Sequence, residues 1–214
     1  MSHFTVLVVG KNYEEQLAPY NEELKVDEYV NMDIKIATKN RKKTIKEYKD
    51  ILSLPTKKQK NYNIDFVKKE LASLSKKTNK EYLMDNLYED YDKKRGYSTT
   101  RYNPNSKWDY YEIGGRWCGY FKLKEGKTGI IGESGMGNNK PKNNADIALK
   151  GDIYGEIKPT FAVVKNGKWY EKGEMGWWGI VRDEKDQNKW EKEFKKLIAD
   201  VPDSETLVLL DCHI

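Results

Sequence analysis

The chain of 214 residues contains only two histidines, His3 and His213, and they lie near its two ends. Imidazole titrates near pH ~6.5, so two histidines can serve as the general base and the general acid of one reaction. Asp211 stands two residues before His213, on the same face of an extended strand, and could orient an imidazole. Glu174 could supply a further acid or base. A fold that joins the two ends would make an acid–base site from these residues.

A second group of residues favours a nucleotide-type ligand. Trp177 and Trp178 follow Gly173-Glu174-Met175-Gly176, and tryptophan is a large residue for an exposed, glycine-rich loop. Arg116 follows two glycines in Ile113-Gly114-Gly115-Arg116-Trp117 and could hold a phosphate bidentately. Tryptophan faces can stack on nucleobases. The candidates for such stacking are Trp108, Trp117, Trp177 and Trp178.

Each of these interpretations has a plain structural alternative. Terminal histidines are often surface residues, and tryptophans often fill the core. His3, Asp211 and His213 could also bind a metal, but their spacing is not diagnostic, and we predict no metal or other cofactor. Cys118 and Cys212 have neither disulfide nor zinc spacing and are predicted to be small buried residues.

Composition excludes several classes of protein. Charged residues make up 34% of the chain and hydrophobic residues 37%, and no run approaches the ~20 apolar residues of a membrane span. The first residues lack a basic region followed by an apolar one, so we expect no signal peptide and predict a reducing cytoplasm. The segment 35–95 holds 18 basic and 9 acidic residues. This basic module is either a solvated helical surface or a surface that attracts anions.

Hydrophobic periodicity predicts an α+β fold with a mostly antiparallel sheet, and a ferredoxin-like order is one option. We predict a single domain over residues 1–214 with a basic helical insertion at 35–96. The insertion should contain three helices, one over 41–52 and two capped by Asn63 and Asn79. Between Trp108 and Lys124 we expect either a pair of aromatic strands or one long bent strand, interrupted by a bulge or tight turn at Gly114-Gly115.

The remaining elements place the two histidines together. Strands are predicted over 4–9, 160–165 and 206–212, with an Asn166-Gly167 hairpin and a helix capped by Asp186. The first and last strands of small α+β sheets are often antiparallel neighbours. That arrangement would place His3 beside His213 in one pocket, with Arg116 and Glu174 on its rim.

Four segments resemble a widespread group of tailed-bacteriophage proteins. They are the opening Met1-Ser2-His3-Phe4-Thr5-Val6-Leu7-Val8-Val9-Gly10, the centre Lys107-Trp108-Asp109-Tyr110-Tyr111 with Gly114-Gly115-Arg116-Trp117, the stretch from Phe161 to Gly179, and the closing Asp211-Cys212-His213-Ile214. The resemblance covers neither helices 41–95 nor the loop 126–144. It implies a protein made in the cytoplasm of an infected bacterium, and it carries over no catalytic residues.

By analogy with phage accessory proteins, the resemblance suggests a counter-defence function. The first hypothesis is metal-independent cleavage of a cyclic or linear nucleotide immune signal by His3, His213, Asp211 and Glu174. A non-catalytic sponge for the same ligand and a protein inhibitor of a host factor are the alternatives. The expected partner is a small nucleotide, with homo-oligomerisation as one option and no membrane. The charge balance outside the basic module and the lack of a groove-reading motif argue against duplex nucleic acid.

Overall fold

The computed structural model describes residues 2–60, 62–86, 92, 94–132, 143–176 and 180–214. The chain forms two compact units, one made of Met1–Lys25 and Tyr102–Ile214 and the other of Val26–Arg101. None of the described helices is both long and apolar enough to cross a bilayer.

The described strands are short except at the two ends of the chain. They are β1 (His3–Val9), β2 (Tyr29–Asp33), β3 (Tyr97–Thr100), β4 (Tyr110–Ile113), β5 (Phe121–Lys122), β6 (Asn144–Ala145), β7 (Ile147–Leu149), β8 (Ala162–Lys165), β9 (Lys168–Glu171), β10 (Glu174–Met175), β11 (Val181–Arg182) and β12 (Thr206–His213). The helices are α1 (Tyr13–Leu17), α2 (Ile34–Ser53), α3 (Thr56–Gln59), α4 (Ile64–Lys76), α5 (Asn79–Asp85) and α6 (Gln187–Ala199). The α+β class is therefore confirmed.

Six of the described strands form the main sheet of the first unit, in the order β4-β12-β1-β8-β9, with β7 also paired to β12. All pairings in this sheet are antiparallel except that of β1 with β8. The prediction of a mostly antiparallel sheet is confirmed. The ferredoxin-like order is not, because that fold separates its parallel strands by another strand, whereas β1 and β8 are direct neighbours.

The core lies on both faces of this sheet, because β1 and β12 are apolar on both sides. One face carries Leu7 and Leu209, which pack with Trp190 and Phe194 of α6. The other face carries Val6 and Leu210, among the residues packed around Leu17 and Trp108. Leu7 and Leu209 are the last apolar residues of the α6 face. The next residues on that face are polar, namely Thr5 in β1 and Asp211 in β12.

Two local predictions for this unit are confirmed. Asp186 caps α6, its carboxylate accepting hydrogen bonds from the backbone N–H groups of Asn188 and Lys189. Asn166 and Gly167 have φ values of 53° and 70°, and they join β8 to β9 as the primed turn that the Asn-Gly signal predicts. The aromatic segment forms two strands, β4 and β5, and a 3-10 turn over Gly115–Trp117 interrupts it at the predicted glycines. The two strands pair with β12 and β6 rather than with each other.

The second unit contains the lysine-rich helices together with the β2–β3 pair. Asn63 caps α4 as predicted, but α2 begins at Ile34 with Asp33 as its cap, seven residues before the predicted start at 41. The cap of α5 is Thr78 rather than Asn79, in a capping box with Glu81. Part of the stripe predicted for this helix, Leu87 and Tyr91, lies outside the described residues.

Candidate functional site

The register of β1 and β12 brings the two histidines together, as the sequence predicts. His3 is the direct partner of His213. Ser2 and Ile214 exchange both backbone hydrogen bonds at 3.2 Å, so the histidines occupy the adjacent non-hydrogen-bonded position, where side chains approach most closely. Their ring centroids are 4.8 Å apart and their planes meet at 78°. We call these two residues the histidine pair.

A buried carboxylate holds His3. Nδ1 of His3 lies 2.9 Å from Oδ1 of Asp211, whose side chain is only 3% exposed. Oδ2 of Asp211 accepts a second hydrogen bond, 2.9 Å long, from the backbone N–H of Arg116. Both oxygens of this carboxylate therefore have fixed partners, and the position of the His3 imidazole follows from them.

The two glycines before Arg116 make this arrangement possible. Gly114 and Gly115 both have positive φ, 74° and 47°. A Cβ on Gly115 would lie 2.5 Å from Cβ and Oδ2 of Asp211, and one on Gly114 would lie 2.5 Å from Oδ2 of Asp146. The glycine pair therefore passes between two carboxylates, and a side chain at either position would displace one of them.

His213 has a carboxylate partner that the sequence did not single out. Its Nδ1 lies 2.7 Å from Oδ1 of Asp109, and the backbone N–H of Asp109 donates to the carbonyl of His213 at 3.0 Å. The Asp109 side chain is 39% exposed, whereas that of His213 is 10% exposed. Asp109 immediately precedes β4, and the pairing of β4 with β12 places it beside His213. No local pattern marks this contact, because the two residues are 104 positions apart.

The two carboxylates set the protonation pattern of the histidine pair. A carboxylate only accepts hydrogen bonds, so each Nδ1 donates, and each neutral imidazole keeps its lone pair on Nε2. Neither Nε2 has a hydrogen-bond partner within the described part of the chain. The arrangement therefore offers two adjacent Nε2 atoms that can accept or donate a proton. Each belongs to an imidazole whose Nδ1 is bonded to a carboxylate.

A third buried carboxylate stabilises the surrounding loops. Asp146 is fully buried and accepts hydrogen bonds from the backbone N–H groups of Gly119, Tyr120 and Gly132 at 2.7, 3.0 and 2.9 Å. Its oxygens are occupied by these bonds, so we assign Asp146 a structural role beside the site.

Arg116 and Glu174, which were predicted on the rim, differ in their relation to the histidine pair. The backbone N–H of Arg116 bonds Asp211, and its side chain is exposed and free to meet an anion. Glu174 is exposed in β10 opposite Arg182 and lines a cleft of about 490 Å³ with Ile214 and Lys107. Neither histidine is among the described residues that line this cleft. Glu174 is therefore not assigned a proton-transfer role.

The four tryptophans predicted to stack on a ligand differ in how far the structure describes and buries them. Trp108 is 7% exposed and donates its indole N–H to the carbonyl of Leu17 at 3.2 Å. This corrects the prediction that it walls a ligand, because its side chain is buried among core residues. Trp117 is half-buried and packs against the core on the α6 face. Trp177 and Trp178 lie outside the described residues, but Gly176 just before them accepts a hydrogen bond from the Ser2 hydroxyl at 3.1 Å.

Two other chemistries, metal binding and thiol attack, depend on side chains near the histidine pair. In the ranges that the structure describes, no group of three or more His, Cys, Asp or Glu side chains is placed to hold a metal ion. Cys212 points to the opposite face of β12 and is completely buried. Burial, followed by the charges of Asp211 and Asp109, raises the pKa of its thiol well above the ordinary value. Cys212 is therefore not a nucleophile at neutral pH.

Searches against protein-family models, curated proteins and solved structures found no match, so the candidate site rests on its own geometry.

Proposed function

We propose that this protein cleaves a phosphodiester bond of a nucleotide by metal-independent acid–base catalysis at the histidine pair. The observation that carries the proposal is the contact of two imidazoles, each bonded through Nδ1 to its own carboxylate and each with Nε2 unpartnered in the described chain. General acid–base catalysis needs one neutral and one protonated group in reach of the same phosphate. Two adjacent imidazoles can supply both groups, since an imidazole nitrogen accepts a proton in the neutral form and donates one in the protonated form.

The proposed reaction consumes one water molecule. The neutral Nε2 of one histidine takes a proton from water as the water oxygen bonds to phosphorus. The protonated Nε2 of the other histidine gives its proton to the leaving oxygen as the phosphorus–oxygen bond breaks. Asp211 and Asp109 stabilise the imidazolium form of their partners throughout. Proton exchange with solvent then restores the starting protonation states.

The charge of a phosphodiester also needs a counter-charge near the histidine pair. The exposed guanidinium of Arg116 is the candidate, since its own backbone is fixed to Asp211. An arginine in this place can bind phosphate bidentately. The resemblance to phage proteins connects this chemistry to counter-defence, and that connection stays a prediction.

The proposal is tested by incubating the protein with cyclic and linear oligonucleotides in EDTA and separating the products by chromatography. We expect turnover of at least one of them, reduced about 10²- to 10⁴-fold by His3→Ala and by His213→Gln. Asp203→Asn, at an 81% exposed side chain, is the control and should keep full activity. Absence of turnover in the whole panel would overturn the proposal. A nucleotide that disappears from solution but returns intact after denaturation would establish the sponge alternative instead.

A further inference from the structure

Helix α2 carries a continuous row of lysines along one face. Successive members are three or four residues apart, a spacing that keeps them on one side of an α-helix. All five are exposed, and within the described chain none forms an ion pair. We call this row the lysine stripe, and it consists of Lys35, Lys39, Lys42, Lys46 and Lys49.

The opposite face of α2 packs against other helices of the same unit. Ala37 is fully buried there, and α2 packs against α4 and α5. Arg41, the only arginine of the helix, donates from Nε and Nη2 to the carbonyl of Leu74 at 3.1 and 2.9 Å. Its Nη1 donates to Oδ1 of Asn79 at 3.2 Å. The arginine therefore fixes the helices together, while the lysines of the stripe remain available.

We propose that the lysine stripe binds the sugar–phosphate backbone of a nucleic-acid duplex without reading its sequence. The stripe covers 14 helical steps, or about 21 Å at 1.5 Å per residue. One strand of a duplex presents about six phosphates over that length of its axis. They wind around the axis, and the flexible four-carbon stems of lysine allow the ammonium groups to follow them. Five lysines complement such a series of charges, and lysine binds phosphate as a point charge. Their acidic neighbour, Asp50, lies one turn after Lys46 at the end of the row.

Two other polyanions fit this face less well. A membrane-surface helix needs an apolar face to insert at the headgroup boundary. Apart from the exposed Ile34 at its first turn, the apolar residues of α2 are buried or half-buried, and the helix packs against α4 and α5. Single-stranded nucleic acid is bound through aromatic stacking as well as charge, and the stripe contains no aromatic residue. The charge balance outside the basic module and the lack of a groove-reading motif argued against a duplex. A contact with the phosphate backbone alone needs neither, so the placement of the lysines on one helix face reverses that expectation.

The test is the salt dependence of binding to a short fluorescently labelled DNA duplex of mixed sequence, followed by polarisation between about 50 and 200 mM NaCl. For five phosphate contacts, log K should fall against log salt with a slope of about −4 to −5. The triple variant K39Q/K42Q/K46Q should bind more weakly at every salt concentration and reduce the slope by about 2 to 3.

The matched control is K189Q/K192Q/K196Q, which removes three exposed lysines at the same spacing from α6. This control should bind the duplex like the unmodified protein. Circular dichroism should show unchanged folding in both variants, because all six side chains are exposed. The proposal is overturned by no duplex binding at about 50 mM NaCl, by an equal loss in the α6 control, or by tighter binding to phosphatidylserine vesicles than to the duplex. Because binding is read without turnover, the result is separate from the proposed hydrolysis.

Discussion

Two histidine–carboxylate pairs lie side by side at one end of the sheet, and they differ in how firmly the carboxylate is held. Asp211 is 3% exposed and has a partner on each oxygen, His3 and the backbone N–H of Arg116. Asp109 is 39% exposed and lies just before a strand. The Nδ1–oxygen distances, 2.9 and 2.7 Å, do not reveal this difference. Preorganisation comes from burial and from the second hydrogen bond rather than from distance alone.

The largest effect is expected from Asp211→Asn. The amide must offer its oxygen to the N–H of Arg116, so its NH₂ group faces His3 and forces the proton of that imidazole onto Nε2. We expect a loss in kcat of about 10²- to 10⁴-fold. The free energy of unfolding should fall by about 1–3 kcal/mol, since the buried site cannot relax into water. Turnover assays and thermal melts measure both, and unchanged ¹⁵N NMR shifts of the His3 ring would refute the tautomer change.

Gly115→Ala tests whether the glycine turn holds Asp211 in place. The new Cβ would lie 2.5 Å from the Asp211 side chain, so the carboxylate must move and its hydrogen bond to His3 must lengthen. The positive φ of 47° adds a further cost of about 1–2 kcal/mol. The control is Gly126→Ala, which has a φ of 73° but no atom within 4 Å of the added Cβ. Denaturant unfolding should show a larger loss at Gly115, and equal losses would mean that the contact with Asp211 is unimportant.

A smaller effect is expected from Asp109→Asn. The same inversion of hydrogen-bond polarity occurs at His213, but this exposed side chain can rotate and water can replace it. We expect a loss in kcat of about tenfold and a change in unfolding free energy within about 0.5 kcal/mol. A loss as large as that of Asp211→Asn would show that burial does not distinguish the two pairs.

The smallest effect concerns Cys212, which lies between Asp211 and His213 in the chain but on the other face of β12. Because its pKa is raised by burial, the reactive thiolate is scarce at about pH 8 and becomes populated only as the pH rises towards that pKa. Iodoacetamide followed by mass spectrometry should leave Cys212 unmodified in the native protein and modify it in guanidinium. Rapid modification of the native protein would contradict the assigned burial.

The sequence allowed the elements with strong local signals to be predicted. The apolar runs of β1 and β12 identify buried strands, and Asn166-Gly167 and the Asp186 cap fix the hairpin and α6. The start of α2 was missed because Ile34 to Asn40 has no clear apolar stripe before Arg41. Those residues become helical through the Asp33 cap and the packing of Ala37. The ferredoxin-like order was not recovered either, since the parallel contact of β1 with β8 is not encoded by local periodicity.

For the candidate site, the sequence by itself determined that the two histidines could meet, because two buried strands near the chain ends are natural neighbours in a small sheet. Tertiary structure alone decided what surrounds them. The contact of His213 with Asp109 spans 104 residues, and that of Asp211 with Arg116 spans 95. Trp108 is buried in the core. The lysines of the stripe are exposed on the face of α2 opposite the packing contacts of that helix. These outcomes depend on strand register and on which helix faces find a partner, and neither is set by residues adjacent in sequence.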